Sequence, residues 1–129
     1  MILAIDPGKE KCGLAVLDQN AKVLERETIG RGELSNQVQR LAAKYNIKTI
    51  VIGRSSFGKT AERELLKLDL KVHFVFIPEK DSTVEARWRY WRENRPRGLW
   101  KLVPAGLRVP PRPVDDYAAV ILGERYLKR

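Results

Sequence analysis

The chain is poor in the residues that build redox and soft-metal chemistry, with one cysteine and one histidine among 129 residues. Cys12 alone cannot close an intramolecular disulfide, and a thiolate zinc site needs more sulfur and imidazole than is present. Long hydrophobic runs are also missing. No apolar stretch approaches the ~20 residues that cross a bilayer, and the N-terminus runs from Met1 into Ile-Leu-Ala-Ile-Asp6 with no basic leader. These absences predict a cytoplasmic protein with no membrane association. His73, inside an apolar run, reads as a core or edge residue rather than a catalyst.

What is present is charge and alternation. Lys and Arg total 25 against 16 Asp and Glu, a net charge of +9, which makes a polyanion the natural partner. The length suits a single domain over residues 1–129, with one core and one site. Residues 2–5, 12–17 and 22–28 read as a three-stranded meander, broken by Pro7-Gly8 and by Asp18-Gln-Asn20. Leu34, Val38, Leu41 and Ala42 then recur at helical spacing. Residues 49–52 read as a buried strand, 60–68 as a helix, and 72–77 as a second buried strand closed by Pro78. Ser82 or Thr83 can cap a helix running through Arg92, with Glu85 in its first turn. Five of the seven prolines fall between Pro96 and Pro113, which predicts an extended loop at about 96–113 before a last helix over 114–127. A meander followed by alternating helices and strands predicts a mixed α/β sheet with helices on its faces.

The candidate chemistry lies in carboxylates at element ends. Asp6 closes the first strand ahead of a Pro-Gly turn, and ligand sites in open α/β sheets gather outside the carboxyl ends of strands. An aspartate there is also an ordinary turn residue. Glu79 follows the strand 72–77, on the same edge as Asp6 if the two strands are parallel. Asp115 and Asp116 open the last helix, where acids also serve the helix dipole. Among the bases, Arg87, Arg89 and Arg92 alternate with Trp88, Tyr90 and Trp91, a pattern suited to phosphate and base contact or to one buried aromatic face. Lys9 and Lys11 flank Asp6 in sequence.

The segment Ile2-Leu-Ala-Ile-Asp6-Pro-Gly8-Lys-Glu-Lys-Cys-Gly13-Leu-Ala-Val-Leu-Asp18 resembles the opening of RuvC-type Holliday junction resolvases and YqgF-type pre-16S rRNA nucleases. Pro78-Glu79-Lys80-Asp81-Ser82-Thr83-Val84-Glu85-Ala86 resembles the acidic second motif of the YqgF type, and Val114-Asp115-Asp116-Tyr117-Ala118-Ala119 its closing Asp-x-x-Ala-Ala helix. The resemblance spans residues 1–127 and implies an RNase H-like fold, a five-stranded mixed sheet of order 3-2-1-4-5 flanked by helices. It further implies a metal-dependent nuclease of DNA junctions or ribosomal RNA precursors. Asp6, Glu79 and Asp115 would hold Mg2+ or Mn2+, with Asp116 as alternate or outer ligand. Hard oxygen donors suit these cations, and two metals ~3.5–4 Å apart can serve a phosphodiester. Cutting two strands of a junction symmetrically calls for a homodimer. The chain departs from the RuvC type at Arg54, where that type carries an acid.

Two other readings compete. One is a non-catalytic RNase H-like module that binds nucleic acid or a protein partner. The other is a nucleotide-binding P-loop, because Gly53-Arg-Ser-Ser-Phe-Gly58-Lys59-Thr60 fits that pattern between a strand and a helix. Even in an RNase H-like fold, residues 58–60 could take a phosphate at the helix start. On the nuclease reading, the expected nucleic-acid contacts are Lys9, Lys11, Arg54, Lys59, Arg87, Arg89 and Arg92.

Overall fold

The computed structural model describes residues 1–78, 85–86, 89–90 and 115–128, apart from the side chain of Asp115. Its elements are β1 (Ile2–Pro7), β2 (Lys11–Leu17), β3 (Val23–Gly30), α1 (Leu34–Lys44), β4 (Thr49–Arg54), α2 (Ser56–Leu66), β5 (His73–Pro78) and α3 (Asp115–Leu127). The expected proline-rich loop and most of the helix expected through Arg92 lie outside the described residues, although Glu85, Ala86, Arg89 and Tyr90 are helical.

The five strands form one sheet of order β3-β2-β1-β4-β5. The meander β1-β2-β3 is antiparallel, while β4 and β5 run parallel to β1. This is the expected order, and it leaves β1 at the centre. Local chemistry builds the meander's turns. At Gly8 a Cβ would stand 2.5 Å from the Lys11 carbonyl oxygen, so only glycine fits the first turn. In the second, the Asp18 carboxylate accepts the backbone N–H groups of Asn20 at 2.8 Å and Lys22 at 2.9 Å, a side chain standing in for backbone.

Strict alternation divides the core. Leu3, Ile5, Cys12, Leu14, Val16, Ile50 and Ile52 meet α1 and α2 through Leu34, Val38, Leu41, Ala61 and Leu65. The opposite face, with Ile2, Ala4, Ala15, Leu17, Val51 and Ile77, packs against Ala119, Val120 and Leu122 of α3. Small residues let α3 lie close: a Cβ on Gly123 would stand 2.8 Å from Leu17 Cδ1 and 3.3 Å from Ala4 Cβ. His73 opens the edge strand β5 and is exposed.

The structure corrects one boundary. The helix expected from residue 60 starts at Ser56, because Ser55 caps it, its hydroxyl accepting the Gly58 N–H at 3.0 Å.

Candidate active site

Asp6 is half-buried one residue from the end of β1. It pairs with Gly13 on β2. On the other side Ile5 pairs with Ile52 of β4, so the parallel register brings Gly53 next to Asp6. Gly13 in turn pairs with Thr28, and Gly53 with Ile77. The rung across the sheet is therefore Thr28, Gly13, Asp6, Gly53, Ile77, and the carboxylate-bearing residue has no side chain beside it on either neighbouring strand. Period-two alternation puts Asp6 on the face of Ile2 and Ala4, the face that α3 covers. In the same rung Thr28 Oγ1 is buried with no hydrogen-bond partner among the described residues.

The start of α3 is fastened to the sheet by an arginine. Arg26 Nε donates to Asp116 Oδ2 at 3.2 Å, and Nη2 donates to the Tyr117 hydroxyl at 2.8 Å. The guanidinium carbon also sits 4.3 Å from the Tyr117 ring centroid, within cation–π range. Asp116 is only 4% exposed and Tyr117 1%. Tyr90 meets Tyr117 edge to face at 5.8 Å, closing a small cluster with Ala86, Ala118 and Ile121.

Of the expected acids, then, Asp6 and Asp116 are both on or over the α3 face, with Asp116 already answered by a cation. Asp115 is the first residue of α3. Its side chain lies outside the described residues, as do Glu79, Arg87 and Arg92. Among the described residues no three His, Cys, Asp or Glu side chains are grouped to hold a metal; of the expected ligands Asp6, Glu79 and Asp115, the side chain of Asp6 alone is among them.

The expected bases divide into two groups. Lys9 lies in the turn after β1, Lys11 opens β2, Arg54 closes β4 and Lys59 is in the first turns of α2; all four are exposed at the edge where Asp6 lies. Arg89 is instead engaged with Glu124, its Nη1 donating to both carboxylate oxygens at 2.8 and 2.7 Å.

No protein-family model matches the chain. Curated relatives from three strains of Mesomycoplasma hyopneumoniae (7448, J and 232), each named "Putative pre-16S rRNA nuclease", are 28% identical over 144 aligned positions, covering 98% of this chain and 92% of theirs. Among solved structures, Thermus thermophilus RuvC superposes with a TM-score of 0.54 at 15% identity, covering 94% of this chain and 88% of that one. The fold is RNase H-like.

The RNase H-like sheet explains why the P-loop pattern is misleading. A P-loop needs a run of backbone between strand and helix to wrap a phosphate, and here β4 ends at Arg54 and α2 begins at Ser56, leaving Ser55 alone between them. The Gly58 N–H already bonds the Ser55 hydroxyl, and the Lys59 N–H bonds the Ser55 carbonyl at 3.2 Å. Gly58 serves packing: a Cβ on it would stand 2.3 Å from the Gly53 carbonyl oxygen. Residues 53–60 therefore form a tight strand-to-helix joint with no cradle.

Sequence reasoning missed Arg26, Thr28 and Arg125. A signal existed for the first two. Arg26 and Thr28 are two apart on β3 and pair with Ala15 and Gly13, so long and polar side chains sit beside small ones on a face that something must cover.

Proposed function

We propose that this chain is a divalent-metal-dependent nuclease whose ligands are Asp6, Glu79 and Asp115, acting on structured nucleic acid. The observation that carries this reading is the position of Asp6: at the carboxyl end of the central strand, flanked by Gly13 and Gly53, on the face covered by the helix that opens with Asp115. Side chains at both flanks would fill the space a hydrated cation and a phosphate need. Glu79 follows directly on Pro78, the end of β5, two strands from β1 in the same parallel set.

The donor set suits Mg2+ or Mn2+, which take hard oxygen ligands and keep water in their shells. When bound, such a metal supplies charge for the non-bridging phosphate oxygens and an acidified water. The chain's own residues do the rest. Asp6 supplies anionic oxygen from a rigid strand, and the Thr28 hydroxyl, without a partner among the described residues, is suited to orient a water in the same rung. Lys9, Lys11, Arg54 and Lys59 offer cations along the edge, where backbone phosphates are held without reading sequence. Arg26 fixes the first turn of α3 through Asp116 and Tyr117, which positions Asp115 and leaves Asp116 a supporting part. The name carried by the relatives favours a ribosomal RNA precursor over a DNA junction as substrate.

The test combines metal, stability and cleavage. Mg2+ or Mn2+ should raise the melting temperature of the parent by mass action and license cleavage of a structured RNA. Asp6→Asn, nearly isosteric, should abolish both effects and leave the fold intact. An Asp6→Asn variant that cleaves as well as the parent defeats the assignment. Binding of RNA with no cleavage and no metal response in the parent would leave a non-catalytic module.

A further inference from the structure

Beside the proposed metal site, the carboxyl ends of β4 and β5 and the α3 residue Arg125 border an open pocket of about 320 Å3, lined by Arg54, Phe76, Ile77, Pro78 and Arg125. Its place follows from the register. Arg54 and Pro78 are paired, and Arg54 is the residue after Gly53, the neighbour of Asp6. The cavity thus lies one strand and one residue away from Asp6, outside strand ends where parallel sheets gather ligands.

Its lining has two chemistries. Arg54 is exposed and makes no ion pair among the described residues. Arg125 reaches in from α3 and is held in place, its Nη1 donating to the Pro78 carbonyl at 2.9 Å and its Nη2 to Glu85 Oε1 at 2.6 Å. Glu85 offsets much of the charge of Arg125, so the net attraction for an anion comes mainly from Arg54, while Arg125 adds a fixed planar wall. The rest of the lining is apolar: Phe76 is half-buried and packs on the side covered by α1 and α2, Ile77 packs on the side covered by α3, and Pro78 follows at the strand end. A volume near the lower end of ligand pockets, roughly 300–1,000 Å3, suits one small group and not a chain of them. Guanidinium donors recognise phosphate, and a guanidinium plane or a phenyl ring can stack on a base.

We infer that this pocket is a nucleotide subsite at the strand ends, taking one phosphate on Arg54 and the attached base against the apolar lining at Phe76. The inference rests on the nuclease reading for its source, a nucleotide of the bound strand next to the one over Asp6; a free mononucleotide offers the same chemistry.

The experiment uses the full chain. Adenosine monophosphate and inorganic phosphate are titrated separately and followed by backbone amide shifts at residues 54 and 76–78; a single-stranded RNA oligonucleotide is followed by anisotropy at several salt concentrations. Adenosine monophosphate should bind in the parent and weaken about tenfold in Arg54→Gln, which loses one charge-assisted contact. For the oligonucleotide, Arg54→Gln should lower the slope of log affinity against log salt by about 0.7. Phe76→Leu, which keeps the apolar packing, should weaken adenosine monophosphate and leave inorganic phosphate unchanged. Displacement of the mononucleotide by the oligonucleotide assigns the subsite to the strand; its persistence assigns it to free nucleotide. If the oligonucleotide binds with the same slope in Arg54→Gln and the mononucleotide shifts nothing at residues 54 and 76–78, the subsite is disproved and the nucleic-acid reading stands. If the oligonucleotide does not bind at all, the nuclease reading fails, and the mononucleotide titration still decides the cavity.

Discussion

Replacing Arg26 tests how the first turn of α3 is held. The side chains of Arg26 and Asp116 are 34% and 6% exposed, so the pair is lopsided: water reaches the cation and hardly reaches the carboxylate. Breaking a fully buried pair by removing one partner costs about 3–5 kcal/mol. The exposed side of Arg26 and the remaining contacts of Asp116 reduce that to about 2 kcal/mol for Arg26→Met, including the lost bond to the Tyr117 hydroxyl and the lost cation–π contact. The reverse change is milder. Asp116→Asn keeps shape and leaves an arginine that can turn to solvent, so about 1 kcal/mol is expected. The double variant removes the buried charge along with its counterion, so it should be more stable than Arg26→Met alone, with a coupling of about 1–2 kcal/mol. Urea unfolding of the four proteins gives the cycle, and in thermal scans Arg26→Met should melt about 6–10 °C below the parent. Strict additivity, or a double variant weaker than Arg26→Met, would refute the argument that a buried carboxylate is what Arg26 answers.

Three further outcomes are expected. Gly58→Ala gains up to about 1 kcal/mol of helix propensity, but its Cβ would stand 2.3 Å from a backbone oxygen, so a net loss of about 1–3 kcal/mol is expected; a stabilised variant in thermal unfolding would contradict the close joint. Glu25 is held below its ordinary value of 4.5 by its hydrogen bond to Arg40, against burial and with help from Lys44, while at Glu64 burial works upward and is outweighed by the Ser35 hydroxyl and Arg31. Because the unfolded chain takes up these protons first as pH falls, their stabilisation is complete above 4.5 and is lost as pH drops through the lower folded values. Glu25→Gln should flatten the stability profile between about pH 5 and 3, and an unchanged profile would count against the Arg40 contact. Leu122→Ala, in the fully buried stripe of α3, should cost about 2–5 kcal/mol in urea unfolding; a loss under 1 kcal/mol would mean that α3 is not packed on the sheet as described.

The meander and the place of Asp6 were legible because both are written in local pattern, whereas the strand order came with the family resemblance. Period-two alternation defines β1 and β2, Pro7-Gly8 ends the first, and an aspartate before that turn is at a strand's carboxyl end whatever lies beside it. The start of α2 was harder to read, since Gly58 looks like turn punctuation while the decisive residue is Ser55, a cap whose effect depends on one hydrogen bond. Arg26 was not legible as the anchor of the last helix. Its partners are 90 and 91 residues away along the chain, and nothing on β3 says which helix will cover it. In the P-loop pattern, the second glycine is explained by close packing of Gly58 on the Gly53 carbonyl, a different reason for lacking a side chain than phosphate binding.

The rung that carries Asp6 has a mechanical consequence. Cross-strand side-chain pairs give a sheet much of its stiffness, about 0.2–1 kcal/mol each, and glycine in a strand contributes no such pair. With glycine on both sides of Asp6, the sheet is weakest in the rung where the carboxylate stands, one step beyond the tightly packed level of Ala4, Ala15 and Val51. The amides of Gly13 and Gly53 should therefore exchange with solvent deuterium sooner than those of Ala15 and Val51, although all four belong to the central strands. The sheet can yield locally at the point where the proposed metal site lies, while the layer two residues below stays rigid.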